Sequence, residues 1–167
     1  LNQASSSIYG GNGVDTITFA GLTSNSILRG DNGADNISNS GALTSSSVNG
    51  NAGNDTIEMS STALTNLVFS SSTVFGGNGD DSINTTGTLT LTNSTIRADE
   101  GNDTINVTLA GQQLSGRING NAGSDSLTIG GVATAAAAAS ALSISGGDGL
   151  DTIAVNLAAA TDAVRAF

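Results

Sequence analysis

The chain has 167 residues, enough for one compact domain, but 3% aromatic content beside 23 glycines is poor material for a globular core of bulky side chains. A net charge of −10, with no Lys, no His and four Arg, argues against nucleic acid and anionic membrane surfaces as partners and in favour of cations. The absence of Cys removes disulfides and thiolate metal sites, so a bound metal must be held by oxygen, and no stretch approaches the length of a membrane span.

The first predicted strand carries Ile8 and runs into the hexapeptide Gly10-Gly11-Asn12-Gly13-Val14-Asp15; the next, Asp15-Thr16-Ile17-Thr18-Phe19, alternates with the period of two of a half-buried strand. The same unit then recurs along the chain. Leu28 precedes Gly30-Asp31-Asn32-Gly33-Ala34-Asp35, Val48 precedes Gly50-Asn51-Ala52-Gly53-Asn54-Asp55, and Val74 precedes Gly76-Gly77-Asn78-Gly79-Asp80-Asp81. Ile96, Ile118 and Ile144 precede Ala98-Asp99-Glu100-Gly101-Asn102-Asp103, Gly120-Asn121-Ala122-Gly123-Ser124-Asp125 and Gly146-Gly147-Asp148-Gly149-Leu150-Asp151. Two residues after the closing Asp stands Ile17, Ile37, Ile57, Ile83, Ile105, Leu127 or Ile153. Successive closing Asp residues are 20, 20, 26, 22, 22 and 26 positions apart.

Each unit reads as strand, hexapeptide turn, strand, and cannot bury its apolar face alone. Stacking the copies sets every Ile on its counterpart in the next coil. The expected fold is therefore all-β: a parallel β-helix (β-solenoid) of about seven coils of 20–26 residues, with one Gly/Asp-rich turn per coil. Strand spacing of about 4.8 Å makes this a rod roughly 30–35 Å long. The return side of each coil, such as Ala20–Asn25 or Gly111–Gly116, varies in length. Insertions fall at Ser60–Ser71 and Gly131–Leu142, the second holding Ala135–Ala139, a short helix or a small-residue loop. Residues 1–167 are read as a single domain, a segment of a longer protein or assembly.

The turn carries the chemistry. Position two is Gly, Asp or Asn in every copy, the residues that tolerate left-handed backbone, and position four is always Gly. Twelve of the fourteen acidic residues lie inside the hexapeptides; Glu58 and Asp162 do not. Stacking brings the closing Asp residues within about 5 Å of one another, where carboxylates repel unless a cation lies between them. Hard oxygen ligands in flexible geometry select Ca²⁺.

The turns resemble the G-G-x-G-x-D-x-U-x repeat of the RTX (repeats-in-toxin) family, a calcium-bound parallel β-helix. The resemblance implies that stacked turns share each ion. Its ligands would be Asp15, Asp35, Asp55, Asp81, Asp103, Asp125 and Asp151, helped at position three by Asn12, Asn32, Asn78, Glu100 and Asp148. The chain departs from the family in having one motif per 20–26 residues rather than contiguous nonapeptides, which implies a single calcium row. Ala52 and Ala122 remove the position-three side chain and Ala98 replaces the first Gly, so sites near those copies are expected to be weaker or empty.

Without His or Cys, and with one Tyr and four Arg scattered through the repeat, no activated nucleophile or general base assembles, and the expectation is that the chain is not an enzyme. The composition is similar to that of calcium-dependent bacterial surface-layer proteins. The leading expectation is a calcium-binding structural module of an extracellular, secreted or cell-surface bacterial protein such as a surface layer, filament or large adhesin. It would self-associate end to end or laterally, with a carbohydrate or cell-surface partner also open. The alternatives are the repeat module of a type I-secreted enzyme or toxin, or a carbohydrate- or ice-binding solenoid.

Overall fold

The computed structural model describes residues 3–19, 23–61, 67–111, 114–133 and 142–159. Ala135–Ala139 and Asp162 lie outside them.

Among the described residues the fold is all-β, and every strand pairs in parallel with its equivalent in a neighbouring coil. The strands that enter the turns form one seven-stranded sheet: Ser7–Asn12, Ile27–Asn32, Ser47–Ala52, Thr73–Asn78, Ser94–Glu100, Gly116–Ala122 and Leu142–Asp148. In it Ile8, Leu28, Val48, Val74, Ile96, Ile118 and Ile144 lie in register as one ladder. The strands that leave the turns belong to a twelve-stranded sheet. They stack Ile17, Ile37, Ile57, Ile83, Ile105, Leu127 and Ile153 in the same way. The middle rungs of both ladders are buried, so the aliphatics at fixed spacing from each turn form the core.

A coil is richer than strand, turn, strand. A third strand on the return side (Gln3–Ala4, Thr23–Ser24, Leu43–Thr44, Leu67–Ser70, Leu89–Thr92) pairs with its neighbours and adds buried Leu43, Leu67, Phe69, Leu89 and Leu91 to the core. In the fourth coil Ser82–Thr86 and Leu89–Thr92 are separated by a bend at Gly87 (φ 98°). In the fifth they fuse into the single strand Thr104–Gly111, which pairs with both. The early return strands, two residues long, are too short to display alternation in sequence.

The stack also has an order longer than one coil. In register before the turn stand Tyr9, Arg29, Asn49 and then Phe75, Arg97, Asn119. At position two stand Gly11, Asp31, Asn51 and then Gly77, Asp99, Asn121. The intervals between closing Asp residues fall into the same threes, 20, 20, 26 and 22, 22, 26. In the second triplet the Arg97 guanidinium lies 4.7 Å over the Phe75 ring and its Nε stands 2.5 Å from Asp99 Oδ1, which also accepts from Asn121 Nδ2 at 2.9 Å. In the first, Arg29 Nε stands 3.8 Å from Asp31 Oδ1 and Asn51 Nδ2 donates to that oxygen at 3.1 Å.

Candidate metal centre

Each turn reverses the chain by visiting left-handed backbone at positions two and four. Asp31, Asn51, Asp99 and Asn121 sit at φ 74–84°, and the seven position-four glycines at φ 111–139°. From the second copy onward position four must be glycine for a further reason. A Cβ on Gly33, Gly53, Gly79, Gly101, Gly123 or Gly149 would collide with the carbonyl oxygen of the position-four glycine one coil earlier. The turns are held together by position-four N–H groups donating to position-three carbonyls of the next coil, as from Gly33 to Ala52 O at 2.7 Å and from Gly79 to Glu100 O at 2.8 Å.

The closing Asp side chains point inward, beneath the turn. Asp35, Asp55, Asp81, Asp103 and Asp125 are 1–3% exposed. Each Oδ1 accepts the backbone N–H of the Asp one coil earlier: Asp15 to Asp35 at 2.8 Å, Asp35 to Asp55, Asp55 to Asp81 and Asp81 to Asp103 at 2.7 Å, Asp103 to Asp125 at 2.9 Å and Asp125 to Asp151 at 3.0 Å. Thus one carboxylate oxygen per coil closes a backbone gap. The other, Oδ2 of Asp15, Asp35, Asp55, Asp81, Asp103 and Asp125, is buried without a hydrogen-bond partner.

A column of half-satisfied carboxylates is electrostatically expensive. Burial pushes the Asp81 carboxyl up to about 7, opposed by the N–H bond from Asp55 and reinforced by the charges of Asp55, Asp103 and Asp80. Burial likewise lifts Asp55 and Asp103 to about 6 and raises Asp125.

The opposite corner of the coil shows what full satisfaction looks like. There buried Ser26, Ser46, Ser72 and Ser94 form a second column in which each Oγ accepts the N–H of the serine one coil earlier at 3.0–3.2 Å. Each hydroxyl then donates to the carbonyl two residues before it, at 2.8–3.2 Å. Serine closes both of its bonds. Aspartate in the equivalent role closes one and leaves a buried negative oxygen, which is the chemistry of a cation site.

That oxygen and a carbonyl of the next coil crowd the position-one glycine and leave no room there for a side chain. A carbon placed as Cβ on Gly10 would lie 2.7 Å from Asp15 Oδ2 and 2.7 Å from the carbonyl oxygen of Gly30 in the next coil. The same pair, own-coil Asp Oδ2 and next-coil position-one carbonyl, would collide with a Cβ on Gly30, Gly50, Gly76 and Gly120. No three acidic side chains converge on one point among the described residues, so an ion here draws its remaining ligands from backbone carbonyls and water.

The structure places the position-three residues elsewhere. Asn12, Asn32, Asn78, Glu100 and Asp148 are exposed and stacked in register with Ala52 and Ala122, and Asn32 Nδ2 donates to Asn12 Oδ1 at 2.8 Å. Ala52 and Ala122 therefore leave the inner column untouched. Sequence reasoning missed two features. One is the serine column, signalled by Ser two residues before each early aliphatic. The other is position five, where Asn54 Oδ1 accepts from Asp80 N at 3.0 Å, Asp80 Oδ1 from Asn102 N at 2.7 Å and Asn102 Oδ1 from Ser124 N at 2.9 Å.

Parallel strands stacked around one row of inward carboxylates define a calcium-binding β-solenoid. The family model of the RTX calcium-binding nonapeptide repeat (4 copies) matches residues 4–21, 18–41, 45–58, 71–87 and 91–107, together just over half of the sequence. The chain belongs to this family, and its repeats bind calcium. No curated protein and no solved structure shows significant similarity to it.

Proposed function

We propose that the chain is a structural module of an extracellular bacterial assembly, such as a surface layer, filament or large adhesin, in which Ca²⁺ bound between stacked turns drives folding. The observation that carries this reading is the column of six buried, partnerless Asp Oδ2 atoms. The carboxylates of Asp15, Asp35, Asp55, Asp81, Asp103 and Asp125, with backbone carbonyls of the stacked turns, hold the ions. When bound, the metal supplies the positive charge that the buried column lacks.

Folding then requires the metal. The core is a thin set of aliphatic ladders, while ordering the backbone costs about 1–2 kcal/mol per residue and glycine-rich turns stand at the expensive end. Repulsion along the Asp column adds to that cost, so an ion bound only by the stack contributes its binding energy to folding. Such a chain stays unfolded where calcium is scarce and folds where it is abundant, outside the cell. Circular dichroism tests this: little β-structure is expected in EGTA, a β-spectrum in millimolar Ca²⁺, and no rescue by Mg²⁺, which demands a tighter octahedral shell. A complete β-spectrum in chelator refutes it.

Assembly has its own support. Ile153 and Val155, in register with buried Leu127 and Ile129, are 43% and 41% exposed on the last described strand. Another β-coil, from a second copy or from further sequence, is the cover that matches them. Light scattering of the calcium-bound chain should show mass rising with concentration, and Val155→Lys should suppress it. A monomer at all concentrations counts against self-association. No catalytic role is assigned.

A further inference from the structure

We infer that the exposed Asn-Gly pairs of the turns, Asn12-Gly13, Asn32-Gly33 and Asn78-Gly79, are self-modification sites, held closed by the calcium-bound stack and opened in the metal-free chain, where Asn is converted to Asp and isoaspartate. The inference rests on the reading that folding requires calcium.

Asparagine before glycine is prone to lose its amide, because glycine brings no side chain to hinder the approach. The glycine nitrogen gives up its proton to water and attacks the Asn Cγ. The new N–Cγ bond closes a five-membered succinimide, and the side-chain nitrogen leaves as ammonia. Water then adds to one of the two ring carbonyls, and opening gives Asp or isoaspartate, in which the main chain runs through the side chain. The net change consumes one water and releases one ammonia, with no oxidant or reductant.

By exposure alone Asn12, Asn32 and Asn78 would react readily, since all three face solvent. The fold opposes the reaction at the nucleophile. Gly13 N–H donates to Asn32 O at 2.8 Å, Gly33 N–H to Ala52 O at 2.7 Å and Gly79 N–H to Glu100 O at 2.8 Å, so each attacking nitrogen is committed to the next coil. Each Asn is also the last residue of its strand, and extended backbone holds the following nitrogen away from the Asn side chain, whereas ring closure needs the two on the same side. The two remaining Asn-Gly pairs lie inside strands: Asn49 Oδ1 accepts the Asn51 N–H at 3.1 Å, and Asn119 is 6% exposed. The inter-coil bonds exist only in the stack, so unfolding frees the glycine nitrogens. The product then bars the way back. Isoaspartate at Asn32 lengthens the main chain by one carbon at the residue whose carbonyl accepts the Gly13 N–H, and the turn no longer matches its neighbours. A chain held long without calcium therefore loses the ability to refold.

Peptide mapping by mass spectrometry, with isoaspartyl methyltransferase to mark isoaspartate, tests this on the full chain incubated at mildly alkaline pH in saturating Ca²⁺, in EGTA, and in EGTA with urea. In Ca²⁺ the three exposed pairs should lose their amides at least about tenfold more slowly than in urea, because the reaction then waits for local opening. Rates in EGTA should match those in urea. When Ca²⁺ is restored, the β-spectrum recovered in circular dichroism should fall in step with isoaspartate. The triple variant Asn12→Ala, Asn32→Ala, Asn78→Ala, which takes the residue already present at positions 52 and 122, should keep more of its refolding. Equal rates in Ca²⁺ and urea, or no amide loss in urea, overturns the inference, and full refolding of chains that carry isoaspartate overturns its one-way consequence. A persisting β-spectrum with slow amide loss in EGTA, beside fast loss in urea, leaves protection by the stack in place and refutes the calcium dependence of folding instead. If the triple variant does not fold in Ca²⁺, the site-by-site rates of the parent chain still decide.

Discussion

Replacing Asp81 by Asn separates the two tasks of the closing carboxylate, because the two side chains have the same shape. The amide oxygen can still accept the Asp55 N–H, which Asp81 Oδ1 accepts at 2.7 Å. The amide nitrogen takes the place of Oδ2, which is buried without a partner, and so replaces a buried negative oxygen by a neutral group. Without metal the substitution should stabilise the fold. A carboxyl lifted from 3.8 to about 7, at about 1.4 kcal/mol per pH unit, opposes folding at neutral pH by on the order of 4 kcal/mol. Water at the edge of the turn screens this to roughly half. With calcium the order reverses, since a neutral amide is a poorer ligand carrying no charge, and the calcium midpoint should rise by at least about tenfold, or about 1.4 kcal/mol.

The pH dependence has a definite sign. A carboxyl whose folded value is raised binds its proton more tightly in the folded state, so metal-free stability is greatest below the unfolded value of 3.8 and is lost as pH rises towards about 6 for Asp55 and Asp103 and about 7 for Asp81. Calcium-stripped protein titrated with trimethylamine oxide, which favours burial, brings the folding equilibrium into measurable range. The circular dichroism midpoint should move to higher osmolyte between pH 4 and 7, and move less in Asp81→Asn. If Asp81→Asn folds less readily than the parent at pH 7 in chelator, the buried charge is not what holds the metal-free chain open.

Three further substitutions probe the stack around the column. Gly101→Ala meets both a φ of 132° and the carbonyl of Gly79, whereas Gly13→Ala meets a φ of 111° with open space around it. The second should cost about 1–2 kcal/mol and the first clearly more, read from denaturant midpoints in saturating calcium. Ser72→Ala strips the buried Ser46 N–H and the Ser70 carbonyl of a partner, a loss of about 1–3 kcal/mol with no change in the number of bound ions. Arg97→Ala should cost about 1 kcal/mol or less, because its side chain, against Phe75 and Asp99, is 42% exposed, and the loss should shrink in high salt.

Much of the fold was legible because repetition multiplies weak signals. A single Ile two residues after an Asp says little, but seven in phase require a ladder, and Ile17 through Ile153 are in register. The closing Asp was legible as a column for the same reason. Its direction was not. That Asp35 and its counterparts turn inward, while Asn12 and Asn32 face solvent, depends on the backbone at positions two and four, which places position three and position six on opposite sides of the turn. Spacing alone treats the two positions alike. The return strands escaped notice because a two-residue strand such as Thr23–Ser24 has no period, and Ser26 or Ser46 reads as a solvated strand residue until the next coil is laid upon it.

The two corner columns explain why calcium dependence belongs to one edge of this solenoid. Both corners must satisfy a backbone N–H that the tight bend removes from the strand ladder, and a short oxygen-bearing side chain from the next coil does so in each case. Serine does this with a neutral group whose own proton finds a carbonyl within the same corner, so the column adds no net charge. Aspartate uses a stronger acceptor and brings one negative charge per coil into a buried position. A chain with serine at both corners would stack without metal. Aspartate at one corner makes stacking conditional: the bonds that join coil to coil are the bonds that bring the charges together, and each added coil raises the demand for a cation. An Asp55→Ser substitution tests the distinction. Serine can still reach the Asp35 N–H with a shorter side chain and leaves no buried charge, so the calcium count should fall while folding in chelator should improve. Equal calcium requirement in Asp55→Ser and the parent would show that the dependence arises outside the aspartate column.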